Sequence, residues 1–179
     1  MISVLCPTRN RIAQVRDMMG TARITAAGDD IEFVFYCDED ALLPGDISLE
    51  PGVTVISGPR IVLSATWNEC FTYAHGDIVM QGNDDVLFRT PGWDQAVEDA
   101  FSQIPDRIAF VHGQDLHQPP GTFGTLGFLH RTWVKAVGYV TPPYFSSDYG
   151  DTWLNDVANA LDRRVYLPEV ITEHMHPAA

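Results

Sequence analysis

Apolar and polar positions alternate in blocks through the first half of this 179-residue chain, and the blocks predict strand and helix in turn. Residues 2–6 form a short apolar run ended by Pro7, the pattern of a buried strand. Thr8, Arg9 and Asn10 form a turn. Residues 11–27 then place Ile12, Val15, Met18 and Met19 at helical spacing, and Gly28-Asp29-Asp30 stops the helix. A second strand over 31–37 runs into Asp38-Glu39-Asp40, and a third over 53–56 is closed by Ser57-Gly58-Pro59-Arg60. Residues 61–74 predict a helix ended by His75-Gly76, and 78–80 a fourth strand that enters Gly82-Asn83-Asp84-Asp85. Later blocks predict helices over 93–103, 133–137 and 151–161 and strands over 107–111, 123–129 and 165–167.

Such alternation predicts an α/β fold with a mainly parallel central sheet in a single domain. In these sheets ligands bind beyond the carboxyl ends of the strands. Four predicted strand ends carry Pro7-Thr8-Arg9, Asp38-Glu39-Asp40, Arg60 and Asn83-Asp84-Asp85, so the chemically interesting residues share one rim.

Composition narrows the choice of partner. Hydrophobic residues make up 45% and charged residues 20%, the balance of a globular protein. The net charge of −13 and pI of about 4.6 repel phosphate backbones and anionic lipid, so neither nucleic acid nor a membrane is expected as main partner. A nucleotide remains compatible, because one arginine or a bound cation can reverse the field inside a cleft. No apolar run approaches the roughly 20 residues of a membrane span, and the N-terminus has no basic leader, so a cytoplasmic location is expected. Cys6, Cys37 and Cys70 lack paired spacing and read as buried free thiols.

The residues themselves allow several chemistries. Asp84 and Asp85 at a strand end could hold a hard cation such as Mg²⁺ or Mn²⁺, or form an ordinary acidic loop. Arg9 and Arg60 on the rim could pair with phosphate, or with the abundant carboxylates. Asp148 and Asp151 fall near a helix start, where either could cap it. His174 and His176 point to one face of an extended segment. His112, Asp115 and His117 read as loop polar residues rather than a second metal site. Trp67, Trp93, Trp133 and Trp153 read mainly as core. Neither a phosphate-binding Gly-X-X-X-X-Gly-Lys loop nor a dinucleotide-binding Gly-X-Gly-X-X-Gly turn is present.

The run from Ile2 through Pro7-Thr8-Arg9-Asn10-Arg11 resembles the opening of family-2-like GT-A glycosyltransferases, where a strand enters Pro-Thr-X-Asn-Arg. The strand ending in Asp38-Glu39-Asp40 is similar to their second strand. Asn68, then Ala74 and Gly76-Asp77, resembles their Asn…Ala-X-Gly-Asp junction, which leads into the Asp-X-Asp motif, here Asn83-Asp84-Asp85. The likeness covers roughly the first 95 residues, and Asn83 departs from it by replacing the first Asp.

The resemblance implies a GT-A (nucleotide-diphospho-sugar transferase), Rossmann-like fold, with a nucleotide-binding half over 1–95 and an acceptor and catalytic half over 96–179. It implies a metal-dependent transferase using a UDP- or GDP-sugar donor, Mn²⁺ or Mg²⁺, and a glycan or protein acceptor. Pro7, Thr8, Arg9, Asp38, Arg60, Asn68 and Asp84 would bind the nucleotide. Asp85, with His174 and His176, would bind the metal. Asp151, with Asp148 as runner-up, would be the general base of an inverting reaction. The stretch 121–131 would line the donor-sugar and acceptor cleft. The compact length also resembles chains of this type in bacteriophage genomes. Two other readings stand beside this one. A nucleotidyltransferase would need a glycine-rich loop after the first strand, which Pro7-Thr8-Arg9-Asn10 is not. A non-catalytic sugar- or nucleotide-binding module on the same scaffold is the other.

Overall fold

A computed structural model describes residues 1–175 of the chain. The parallel block is built from β1 (Ile2–Thr8), β2 (Ile31–Asp38), β3 (Val53–Gly58) and β4 (Ile78–Gln81). Between them run α1 (Ile12–Thr25), the short α2 (Gly45–Ser48) and α3 (Leu63–Tyr73). There follow β5 (Val86–Phe88), α4 (Trp93–Ser102), β6 (Phe110–Gln114), β7 (Gly127–His130), α5 (Arg131–Val137), α6 (Gly150–Ala160) and β8 (Arg164–His174).

The strands form one eight-stranded sheet in the order β3-β2-β1-β4-β7-β6-β8-β5. β1 pairs in parallel with β2 and β4, β2 with β3, and β6 with β8. The pairs β4–β7, β6–β7 and β5–β8 are antiparallel. The sheet is therefore mostly parallel on one side of β4 and mixed on the other.

Alternation along β1 explains the layering. Ile2, Val4 and Cys6 face a core shared with α1, α4 and β5, while Leu5 faces a second core shared with α3, α5 and α6. Trp93 anchors the first core and Trp67 and Trp133 the second, all nearly inaccessible. Trp153 is half-buried against Tyr139. Cys6, Cys37 and Cys70 are free and buried, and burial drives the Cys37 thiol up to about 11. Among the described residues no helix is long and apolar enough to cross a membrane.

Two elements exceed the sequence expectation. β8 runs for 11 residues although Pro168 and Glu169 interrupt its apolar run. Its pairing with β6 shifts register between His112 and Gln114, whose partners are Tyr166 and Ile171. The extra β8 residues bulge out there, which tolerates a proline that cannot donate to a ladder. Beyond the bulge β8 pairs with β5, a three-residue strand that its sequence marks only as an apolar patch.

Candidate functional site

The parallel strands end on one rim, and a cleft of about 930 Å³ opens there. Pro7, Thr8 and Arg9 enter it from β1, Asp38 from β2, Arg60 from the turn after β3 and Asn83-Asp84-Asp85 from the loop after β4. His174 closes one side from the end of β8, and Ser146, Ser147 and Asp148 reach it from the loop before α6. Trp67 fixes the acidic loop at its base, because its Nε1 donates to the Gly82 carbonyl at 2.9 Å.

Asp84 is 4% exposed and both its oxygens are engaged: Thr8 Oγ1 donates at 2.7 Å and Arg11 Nη1 at 2.9 Å. Burial pushes its carboxyl up, and those two bonds oppose the shift. The same Arg11 nitrogen lies 3.1 Å from Asp85 Oδ2, so one guanidinium holds two adjacent carboxylates together. Arg11 had no role in the sequence expectation. The signal was its place in the Pro-Thr-X-Asn-Arg run, which does not reveal the partner 73 residues away.

Asp85 differs from Asp84. Its Oδ1 is buried without a hydrogen-bond partner and faces His174 Nε2 at 3.3 Å. The His174 imidazole is the main reason its carboxyl lies below the ordinary aspartate range, and Arg11 adds to the effect. Backbone bonds fix this meeting: His174 N donates to the Asp115 carbonyl at 3.0 Å and Met175 N to the Asp85 carbonyl at 2.7 Å.

A divalent cation fits these residues as a half-site. A carboxylate oxygen lying against an imidazole nitrogen suits Mn²⁺ or Mg²⁺, which often take few protein ligands and complete their shell with substrate phosphates and water. Among the described residues no cluster of three or more His, Cys, Asp or Glu side chains forms a complete metal site. His176 lies outside the described residues.

The arginines divide sharply. Arg9 is paired with Asp38 at 3.4 Å and Asp40 at 2.9 Å. Arg60 lines the cleft, and among the described residues it enters no ion pair. Three of the chain's eleven lysines and arginines therefore meet at one cleft of an acidic protein.

Other expectations are revised. Asn68 is not part of the cleft wall: its Oδ1 accepts from Val140 N at 2.8 Å and Thr141 N at 3.3 Å, and its Nδ2 donates to Thr141 O at 2.7 Å. Residues 121–131 do not line the cleft either. Neither aspartate caps α6, whose N-cap position is held by Tyr149 without a side-chain bond. Asp148 is exposed and faces the cleft. Asp151 sits in the first turn of α6, partly buried and not part of the cleft wall, and burial raises its carboxyl. Asp115 orders its own loop, accepting from His117 N and Gln118 N, whereas His112 is buried in β6, packed between the rings of Phe110 and Tyr166.

The fold is one found in glycosyltransferases. The mannosyltransferase PcManGT of Pyrobaculum calidifontis, solved with GDP-Man and Mn²⁺, superposes with a TM-score of 0.75 at 14% identity. That match covers 98% of this chain and 57% of that one. TarS residues 1–349 of S. aureus, solved with UDP-GlcNAc, gives 0.71 at 14% identity over 99% of this chain and 61% of that one. The chain thus spans less than two thirds of the length of these structures. No family model matches the sequence, and no curated protein matches it.

Proposed function

We propose that this chain is a GT-A-type glycosyltransferase domain that transfers a sugar from a nucleotide-diphosphate sugar to an acceptor hydroxyl. One observation carries the reading: Asp85 Oδ1, buried and lacking a hydrogen-bond partner, faces His174 at the carboxyl ends of the parallel strands, beside Arg11 and Arg60. That is where ligands bind in open α/β sheets. The likeness in fold to a mannosyltransferase and to TarS supports it.

In this reading Asp38 faces the nucleoside, and Arg60 pairs with the diphosphate. Asp85 and His174, with His176, hold Mn²⁺ or Mg²⁺. The bound cation would supply Lewis-acid stabilisation of the leaving diphosphate. Asp151, in the first turn of α6 after the cleft-lining Asp148, is the base, and burial raises its carboxyl, which favours proton uptake. It takes the acceptor hydroxyl proton as that oxygen bonds the anomeric carbon and the bond to the diphosphate breaks, which inverts the centre. Asp148, exposed in the cleft, orients the acceptor.

Calorimetry tests the donor site. UDP and GDP are titrated with and without Mn²⁺ into wild type and Asp85→Ala. Metal-dependent binding of one nucleotide, lost in the variant, is the expected result. Binding of neither nucleotide under any metal condition would overturn the reading for UDP- and GDP-sugars.

A further inference from the structure

Residues 138–149, between α5 and α6, carry Asp148 into the cleft and are fastened to one helix from end to end. Asn68 on α3 grips the start, holding Val140 N, Thr141 N and Thr141 O with a single side chain. One turn nearer the N-terminus, Ser64 Oγ donates to the Phe145 carbonyl and Leu63 N donates to the Ser146 carbonyl at 2.9 Å. Gly150 closes the loop on itself, because a Cβ there would lie 2.6 Å from Thr141 Cγ2. Thr141 and Pro142 are buried, while residues 146–148 are exposed at the cleft. The loop is therefore a strap laced to α3 at two points, with its free edge facing the site. The same α3 puts Leu63 and Thr66 into the cleft wall.

We propose that Asn68 is a positioning residue, which locks this strap to α3 and so sets where Asp148 and the start of α6 stand relative to the bound donor. The inference rests on the glycosyl-transfer reading. It assigns Asn68 to the acceptor side of the reaction, away from the nucleotide contact that its motif suggests. An amide suits the task. Its oxygen takes two adjacent backbone N–H groups while its nitrogen serves the Thr141 carbonyl just after them, and no aliphatic side chain can do both. Loss of the grip frees the loop near its root, and a displacement of about 1 Å at the reacting groups can cost about 10²-fold in rate.

The test compares Asn68→Ala and Asn68→Asp with wild type by hydrogen exchange, by UDP and GDP titration with Mn²⁺, and by kinetics with GDP-mannose and UDP-GlcNAc. Asn68→Asp keeps the acceptor oxygen but places a carboxylate against the Thr141 carbonyl, so its grip is restored only where it is protonated. In Asn68→Ala the amides of 140–149 should exchange at least about tenfold faster while nucleotide affinity and donor KM stay within about twofold, and kcat should fall by about 10²-fold. In Asn68→Asp protection of the same amides should recover as pH is lowered. A fall in nucleotide affinity with the strap still protected would overturn the proposal, as would an unchanged exchange pattern. If wild type binds neither nucleotide and turns over neither donor, the function reading fails. Loss of strap protection alone then decides the lock.

Discussion

Two carboxylates, Glu32 buried and Asp85 half-buried, stand at opposite ends of the parallel strands and are bonded differently. Glu32, at the amino end of β2, is complete. Its Oε1 accepts from Ser3 Oγ at 2.6 Å, His75 N at 2.5 Å and Gly76 N at 3.1 Å, and its Oε2 meets His75 Nδ1 at 3.1 Å. Asp85, at the carboxyl end of the sheet, is incomplete. One oxygen meets Arg11, and the other is buried without a hydrogen bond, facing His174. Burying a polar group without a partner costs stability, so a chain tolerates it where a ligand completes the set. The fully hydrogen-bonded carboxylate sits in the scaffold, and the less fully bonded one lines the cleft.

The same contrast separates two parts of one motif. Gly76, in the Ala-X-Gly-Asp junction, is required by space: an added Cβ would lie 2.5 Å from Ser3 Oγ and 2.8 Å from the Met1 carbonyl. That junction brings its backbone to Glu32, at the end of the sheet remote from the cleft.

The sharpest way to break the comparison is at the reacting end. Asp151→Asn should lower transfer by about 10²- to 10⁴-fold with nucleotide affinity intact. Asp148→Asn should cost less, through acceptor KM. With Asp151 as the base, the acid limb of the wild-type pH–rate profile should lie above the ordinary aspartate range of ~3.9, because burial raises that carboxyl and a general base works ionised. An acid limb unmoved by Asp151→Asn would assign the proton transfer to another group.

The next largest effect pairs the two carboxylates directly. Asp85→Ala should weaken Mn²⁺-dependent nucleotide binding at least about tenfold, or 1.4 kcal/mol, with a smaller loss of thermal stability than Glu32→Ala. Glu32→Ala should act mainly on stability. It strands the Ser3 hydroxyl and the His75 and Gly76 N–H groups, at a cost of about 1–3 kcal/mol of stability, and leaves nucleotide affinity unchanged. Equal effects of the two variants on nucleotide binding would end the distinction. Gly76→Ala belongs with Glu32→Ala, with a destabilisation of about 1–3 kcal/mol from overpacking, read by denaturant unfolding.

How far the sequence reached follows from the same division. β1 to β4 were legible because each is an apolar run closed by a turn signal, and their ends named Thr8, Arg9, Asp38, Arg60, Asp84 and Asp85, which do meet in one cleft. β5 has three residues, too few to carry a period, and Pro168 hid the length of β8 behind a bulge. Asn68 and Arg11 were visible as motif residues, but their partners lie 72 or more residues away, and spacing alone does not report such pairings. Asp84 and Asp85 are neighbours of identical chemistry. What tells them apart is Thr8 on one side and His174 on the other, both brought in by tertiary structure.

The smallest expected effect is a change in slope. Burial raises the Glu32 carboxyl, but the bonds from Ser3, His75 and Gly76 outweigh it and hold it below the ordinary glutamate range. A carboxylate depressed in the folded state stabilises the fold at pH above its unfolded value of about 4.3, and that contribution fades as pH falls through the folded value. Unfolding midpoints of wild type should therefore drop through this acid window. Glu32→Gln, which cannot titrate and loses part of the clamp, should start lower and show a shallower decline over the same range. Asp85→Asn offers the counterpart at the other end of the sheet. Its carboxyl is also depressed, through His174 and Arg11, so its acid response in metal-free protein should resemble that of Glu32→Gln. Added Mn²⁺ should separate the two, because a cation that binds only the folded state stabilises it. A thermal midpoint that rises with Mn²⁺ in Glu32→Gln and stays fixed in Asp85→Asn would assign the open oxygen to a ligand rather than to the scaffold.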